Sequence, residues 1–219
     1  MKAIFFKEIS SFFGTLIGYI VVGVFLIFSG LVMWVMTTSV FEFSYANMDS
    51  FFMMAPFLFI FLIPAITMRS FSEESQHRTL ELLFTKPLTI RDILLGKYFA
   101  NLTLVILALL PSIVYYISIY NLGAPKGNID SGAIFGSYIG LFFLAAVFVA
   151  IGMFSSALAN NQVVSFILAI VISVILQWGF FAISKLPVFW GIWDDIIQRL
   201  GIDYHYASIS KGLIDTRDI

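Results

Sequence analysis

Residues 131–184 read SGAIFGSYIGLFFLAAVFVAIGMFSSALANNQVVSFILAIVISVILQWGFFAIS, 54 consecutive positions without Asp, Glu, Lys or Arg. As one α-helix this run would be roughly 80 Å long at about 1.5 Å per residue. About 20 apolar residues already cross a hydrocarbon core roughly 30 Å thick, so the run must fold back on itself. The natural break is Ser155-Ser156-Ala157-Leu158-Ala159-Asn160-Asn161-Gln162, the only amide-rich polar stretch within it. Even and odd positions are equally apolar, which fails the alternation of a membrane barrel strand. Helices, which pair their own amides and carbonyls, are what lipid requires.

Three more charge-free windows lie upstream: 33 positions at 9–41, 19 at 50–68 and 28 at 98–125. Each holds one crossing. The expected spans are 14–36, 51–68, 99–120, 133–156 and 163–184. Composition agrees: 60% of the chain is hydrophobic and 11% charged, against about 25% charged in soluble domains. Such a chain cannot cover its apolar surface with so few charges. The absence of cysteine excludes disulfide and cysteine–metal frameworks. The class is all-α, a polytopic membrane protein read as a single transmembrane domain over 1–219.

Lys2 and Lys7 precede an apolar stretch too long for a signal-peptide core, and no small-residue cleavage site follows. Ile4, Phe5, Ile9, Phe12 and Phe13 fall on one helical face, with Lys2, Lys7, Glu8, Ser10 and Ser11 opposite. That pattern predicts an interfacial helix; a plain extension of the first span is the alternative. With the N-terminus inside, the inner segments hold Lys2, Lys7, Arg69, Arg78, Lys86, Arg91 and Lys97, and the outer ones Lys126, Lys185, Arg199, Lys211 and Arg217. The first outer loop, 37–50, carries Glu42 and Asp49 and no basic residue, so the basic bias favours N-in. Five crossings then leave 185–219 outside, an aromatic and acidic segment (Phe189, Trp190, Trp193, Asp194, Asp195, Tyr204, His205, Tyr206) suited to the headgroup zone.

Between the second and third spans, residues 69–97 concentrate nine of the 25 charged residues. Two helices are predicted here. One runs over about 70–84, with Glu73 and Glu74 in its first turn, where the helix dipole favours carboxylates. Lys86-Pro87 ends it. Thr89 caps the second, with Asp92 three positions on as a variant capping box, and this helix carries Arg91 and Lys97 at the membrane surface into the third span. Most charge runs between spans are solvated loops. Two capped helices around a proline turn make instead a rigid bracket that can pass a push from a soluble partner into the bilayer.

The segment Phe71, Glu73, Glu74, Thr79, Leu80, Glu81, Leu82, Leu83, Pro87, Gly96 and Lys97 resembles the permease subunits of the ABC-2 class of ATP-binding-cassette exporters. The opening Lys7-Glu8-Ile9-Ser10-Ser11-Phe12-Phe13, then Gly18-Tyr19-Ile20-Val21, and Ser210-Lys211-Gly212-Leu213-Ile214-Asp215 near the end are similar to the gliding-motility-associated ABC transporter permease family of Bacteroidetes. The resemblance implies an ABC-2 type permease bundle in the bacterial inner (cytoplasmic) membrane. It implies two paired permease subunits, as a homo- or heterodimer, and a separate ABC ATPase subunit that binds the ATP. The 72–84 coupling helix would dock on that ATPase through Phe71, Glu73, Glu74, Arg78, Thr79, Leu80 and Glu81, with Arg78 pairing across the joint. The family has six crossings with both termini inside. This chain supplies five, so a final helix beginning near Arg217 is expected to be missing. The family also usually carries Gly where His77-Arg78 precedes Thr79, so the turn there should differ.

Other motifs lead nowhere. Gly96-Lys97-Tyr98 lacks the Ser or Thr and the upstream Gly of a phosphate-binding loop, so no cofactor or nucleotide is expected on this chain. Glu73-Glu74-x-x-x-Arg78 matches membrane-embedded prenyl-protein proteases, but the histidines that chemistry needs inside the membrane are absent from the spans. Gly14 with Gly18, and Gly132, Gly136 and Gly140, permit close helix approach in lipid, more readily within one subunit than as a dimer seam. Pro56, Pro64 and Pro111 fall in spans and are expected to kink them. No Asp, Glu, Lys, Arg or His lies in a span, which argues against an ion-coupled carrier. Gln177 reads as an interhelical hydrogen-bonding residue. The expected function is a non-enzymatic, membrane-spanning exporter subunit with the lipid bilayer and an ATPase as partners and no nucleic acid. A non-transporting membrane scaffold is the alternative. Charge-free spans suit lipid-like, glycan or polypeptide cargo, and nothing chooses among these.

Overall fold

The computed structural model describes residues 1–36, 39–43, 46–79, 89–187 and 192–210, and among them every regular element is helical. Helix α1 (Lys2–Phe13) stops at Gly14; Thr15 is extended (φ −115°, ψ 146°) and its hydroxyl donates to the Phe12 carbonyl at 3.0 Å. The chain therefore turns before α2 (Leu16–Trp34), and α1 is a separate helix, not an extension of the first span. Its apolar face packs inward through Ile4 and Phe12, while Lys2, Lys7, Ser10 and Ser11 stay exposed. Glu8 departs from the amphipathic pattern by turning partly inward, for a reason given below.

After the short α3 (Val40–Phe43), α4 (Asp49–Thr67) forms the centre of the bundle, packed by α2 and by later helices. Phe51, Phe52, Phe59, Ile60 and Ile63 are all buried along it. It runs unbroken through Pro56 and Pro64. Pro56 has no N–H to offer the Phe52 carbonyl four residues back. That carbonyl instead accepts the Tyr206 hydroxyl at 2.7 Å.

The predicted 70–84 helix is corrected. Helix α5 spans only Ser72–Gln76. Arg78 is left-handed (φ 55°), and the Thr79 N–H reaches the Glu74 carbonyl at 2.9 Å while the Arg78 N–H reaches the Ser75 carbonyl at 3.1 Å. This is a Schellman stop with arginine where glycine is usual, at the place where the family resemblance calls for glycine. The remainder of the expected helix, Leu80, Glu81, Leu82, Leu83 and Phe84, lies outside the described residues, as does Pro87.

Helix α6 (Ile90–Leu109) starts on Thr89, whose hydroxyl oxygen accepts the Asp92 N–H at 3.2 Å and donates to the Asp92 carboxylate at 2.6 Å. At Pro111 the helix tightens into a 3₁₀ turn (Leu110–Ser112) before α7 (Ile113–Leu122). Helix α8 (Ser131–Leu158) is capped by Asp130 and α9 (Gln162–Val174) by Asn161, so the fold-back predicted over 155–162 is confined to Ala159–Asn161. A π turn (Ile175–Gly179) joins α9 to α10 (Phe180–Ser184). Among the described residues, five helical segments are long and apolar enough to cross a membrane: Leu16–Trp34, Asp49–Gln76, Ile90–Leu122, Ser131–Leu158 and Gln162–Ser184.

The tail does not simply rest beside the bundle. After α11 (Ile192–Gln198), α12 (Ile202–Ile209) inserts against α8 and the π turn, with Tyr206 and Ile209 buried. The Ser137 hydroxyl donates to the Ser210 carbonyl at 2.9 Å. A Cβ on Gly140 would sit 2.3 Å from Ile209 Cγ2, so only glycine admits the helix there.

Candidate functional site

At the end of the bundle that holds the N-terminus, α1, α5 and the first turns of α6 converge on a charged cluster. Its centre is Lys97, only 1% exposed. The Lys97 ammonium donates to Glu8 Oε1 at 2.9 Å, lies 3.0 Å from Glu74 Oε1, and donates to the Ser70 carbonyl. It also stands 5.1 Å from the centroid of the Phe71 ring, a cation–π contact. Lys7 reaches Glu74 Oε1 at 3.0 Å from the solvent side. Burial alone would lower the Lys7 ammonium, but the hydrogen bond to Glu74 and the charges of Glu74, Glu8 and Glu73 outweigh it and hold the ammonium above its ordinary value. Arg69 closes the ring, with Nε 2.9 Å from Glu73 Oε2 and Nη1 donating to Thr15 Oγ1 at 3.0 Å.

Lys7, Arg69 and Lys97 face Glu8, Glu73 and Glu74, so the cluster is neutral in sum. A buried ammonium is tolerable only with such pairing. The approach is close because Gly96, one residue before Lys97, lets α1 lie directly on α6: a Cβ at Gly96 would be 3.2 Å from the Met1 carbonyl and 3.3 Å from Ile4. Asn101, one turn after Lys97, donates to Ser70 Oγ at 2.7 Å. One oxygen, Glu74 Oε2, stays buried without a donor.

A second joint ties the same segment to α8. Ser156 Oγ accepts the N–H groups of Phe71 (2.9 Å) and Ser72 (3.0 Å) and donates to the Met68 carbonyl at 3.0 Å. One hydroxyl thus satisfies the turn between α4 and α5. Nearby, α8 and α4 touch at Gly152, where a Cβ would come within 2.0 Å of Thr67 Oγ1. Elements α1, α4, α5, α6 and α8 are therefore locked to one another at this face.

The residues singled out from sequence separate into two groups. Phe71, Glu73 and Glu74 belong to the cluster, and Glu74, 12% exposed, is directed at Lys97 and Lys7. The outward face of the turn is Gln76, His77, Arg78 and Thr79, all exposed. Lys97, expected at the membrane surface, is instead the buried hub. Gly14 and Gly18 serve the α1–α2 turn, since a Cβ at Gly18 would be 2.5 Å from the Phe12 carbonyl. Gly132 lies beside the Asp130 cap, Gly136 is buried on α8, and Gly140 meets Ile209. Gln177 donates to Asp203 at 3.3 Å. Reasoning from sequence missed Glu8, Ser70, Asn101, Ser156 and the Thr67–Gly152 contact. The i, i+4 spacing of Lys97 and Asn101 next to Gly96 was the available signal.

The protease arrangement is not formed among the described residues. Glu73 and Glu74 are engaged in ion pairs, and His77 lies at one end of the bundle while His205, bound to the Arg199 carbonyl, lies at the other. A family model described as ABC-2 family transporter protein matches residues 28–186. The chain belongs to the ABC-2 transporter family. No curated protein and no solved structure matches it. This ABC-2 protein is therefore a multi-pass membrane permease component, not itself catalytic, of a family that works with an ABC ATPase.

Proposed function

We propose that this ABC-2 permease subunit is part of an exporter in a bacterial inner membrane, with its N-terminus and the 69–97 segment on the cytoplasmic side. The turn around Gln76–Thr79, continued by Leu80 and Glu81, takes the push of a separate ABC ATPase, which alone binds ATP. Two permease copies, identical or related, pair across the bilayer. The resemblance of the chain's opening and closing segments to gliding-motility permeases supports a cargo that serves that machinery.

One observation supports this reading above the others. The buried Lys97 cluster fuses the exposed turn to an interfacial helix and to the starts or ends of three spans. A simple connector has no use for a buried ammonium, whose pairing adds little stability over an apolar core. A lever does, because force applied at the turn must not dissipate in the joint.

The test uses the sequence's lack of cysteine. Gln76→Cys should react with a membrane-impermeant thiol reagent from the cytoplasmic side only; reaction from the periplasmic side ends the proposal. Arg78→Glu should reduce co-purification with the partner ABC ATPase, while insertion is unchanged. Lys97→Met should keep that association and lose substrate-stimulated ATP turnover. A non-transporting scaffold would show no such stimulation in the unaltered protein.

A further inference from the structure

The fifth span abandons α-helical register at the π turn Ile175–Gly179, whose one buried polar side chain is Gln177. Such turns recur at functional sites. Gln177 is wholly enclosed. Its amide nitrogen donates to Asp203 Oδ1 at 3.3 Å, while its amide oxygen is buried without any donor. Turning the amide over only exchanges the atom left unpaired. An ionised carboxylate accepts only, so with it the amide makes a single bond here. A protonated carboxyl brings the missing O–H.

Among the described residues, no basic side chain on the elements packed on α12 answers Asp203. Helix α8 carries no charged residue, the π turn has none, and α4, whose one charged residue is Asp49, bonded to the Asn47 amide at 3.0 Å, presents the Phe52 carbonyl, taken by Tyr206. The one ionisable group on the facing helix α8 is the Tyr138 hydroxyl, bonded to Ser112 Oγ at 2.9 Å. In the preceding 192–200 stretch Asp194 is paired with Lys185 (3.6 Å) and Asp195 with Arg199 (2.7 Å). On α12 itself stand Tyr204, His205 and Tyr206.

We propose that Asp203 is protonated when α12 is seated, and that this proton latches α12 into the end of the bundle through a two-bond acid–amide pair with Gln177. Seated, α12 fills the slot over Gly140 and closes the space among α4, α8 and the π turn; released, it opens that end. Burial pushes the Asp203 carboxyl above its ordinary range, against the smaller opposing effect of the Gln177 bond. The seated value thus lies above the released one. The latch is complete below the released value and is lost as pH rises through the seated one. This reading does not rest on ATPase coupling, and its readout needs no partner.

The experiment places the full chain in lipid nanodiscs with a nitroxide on Ala207→Cys, an exposed position of α12 in a cysteine-free sequence. At acid pH the label should be immobilised. The mobile component should grow from minor to major through one transition centred above the ordinary aspartate value of about 4. Asp203→Asn, which can donate and accept, should stay immobilised at every pH. Gln177→Leu should be mobile even in acid, and if that variant fails to insert, Asp203→Asn carries the test. His205→Gln should keep the transition. Three results would each overturn the proposal: no transition in the parent, an Asp203→Asn variant that titrates like the parent, or a transition abolished by His205→Gln.

Discussion

Replacing Lys97 by Met keeps the length of the side chain and removes its charge. The ammonium now contacts Glu8 at 2.9 Å and Glu74 at 3.0 Å, and those carboxylates are 16% and 12% exposed. Without it, two largely buried carboxylates share one site, with Lys7 as their nearest remaining cation at 3.9 and 3.0 Å. Removing one partner of a buried pair costs about 3–5 kcal/mol. Lys7 compensates in part, so the lower end, about 3 kcal/mol, applies, or roughly a hundredfold in the folded-to-unfolded ratio. The assay is reversible unfolding in mixed micelles, followed by tryptophan fluorescence. The informative comparison is the triple variant Lys97→Met, Glu8→Gln, Glu74→Gln. Its neutral amides need no counter-charge, so it should regain most of the lost stability while remaining defective in coupling. A loss below about 1 kcal/mol for the single variant, the level of a surface pair, would refute the reasoning. So would a triple variant no more stable than the single.

Tyr206→Phe should cost about 1–3 kcal/mol, because it strands the Phe52 carbonyl that Pro56 cannot serve. In a Pro56→Ala background, which supplies an N–H to that carbonyl, the cost should fall, and a double-mutant cycle of unfolding midpoints measures the difference. Gly152→Ala should destabilise by about 1–3 kcal/mol through overpacking against Thr67, and Thr67→Ala in the same chain should return part of it in thermal unfolding. Ser156→Ala removes the acceptor of two N–H groups and should cost about 2 kcal/mol; hydrogen exchange at Phe71 and Ser72 should accelerate in that variant, with the amides of α2 unchanged.

The crossings were legible because lipid leaves the chain one solution. A run without charges must be helical, and its length against the bilayer counts the passes. The Thr89 cap with Asp92 was equally local, decided within four residues. Arg78 shows where local reading fails. Its left-handed turn ended the predicted helix early, with an arginine where glycine is the ordinary choice.

Sequence alone determined that this protein is an all-helical membrane chain of five apolar passes, with one charged segment between the second and third. Burial of apolar surface and self-pairing of the backbone act residue by residue and leave their mark in composition and spacing. The tertiary structure alone decided which charges meet. Lys97 with Glu8 is a contact across 89 positions, and Tyr206 with the Phe52 carbonyl is one across 154. A charged side chain near a membrane boundary looks the same in sequence whether it faces water or a partner. Only helix packing, set here by Gly96, Gly140 and Gly152, brings the partners within bonding distance.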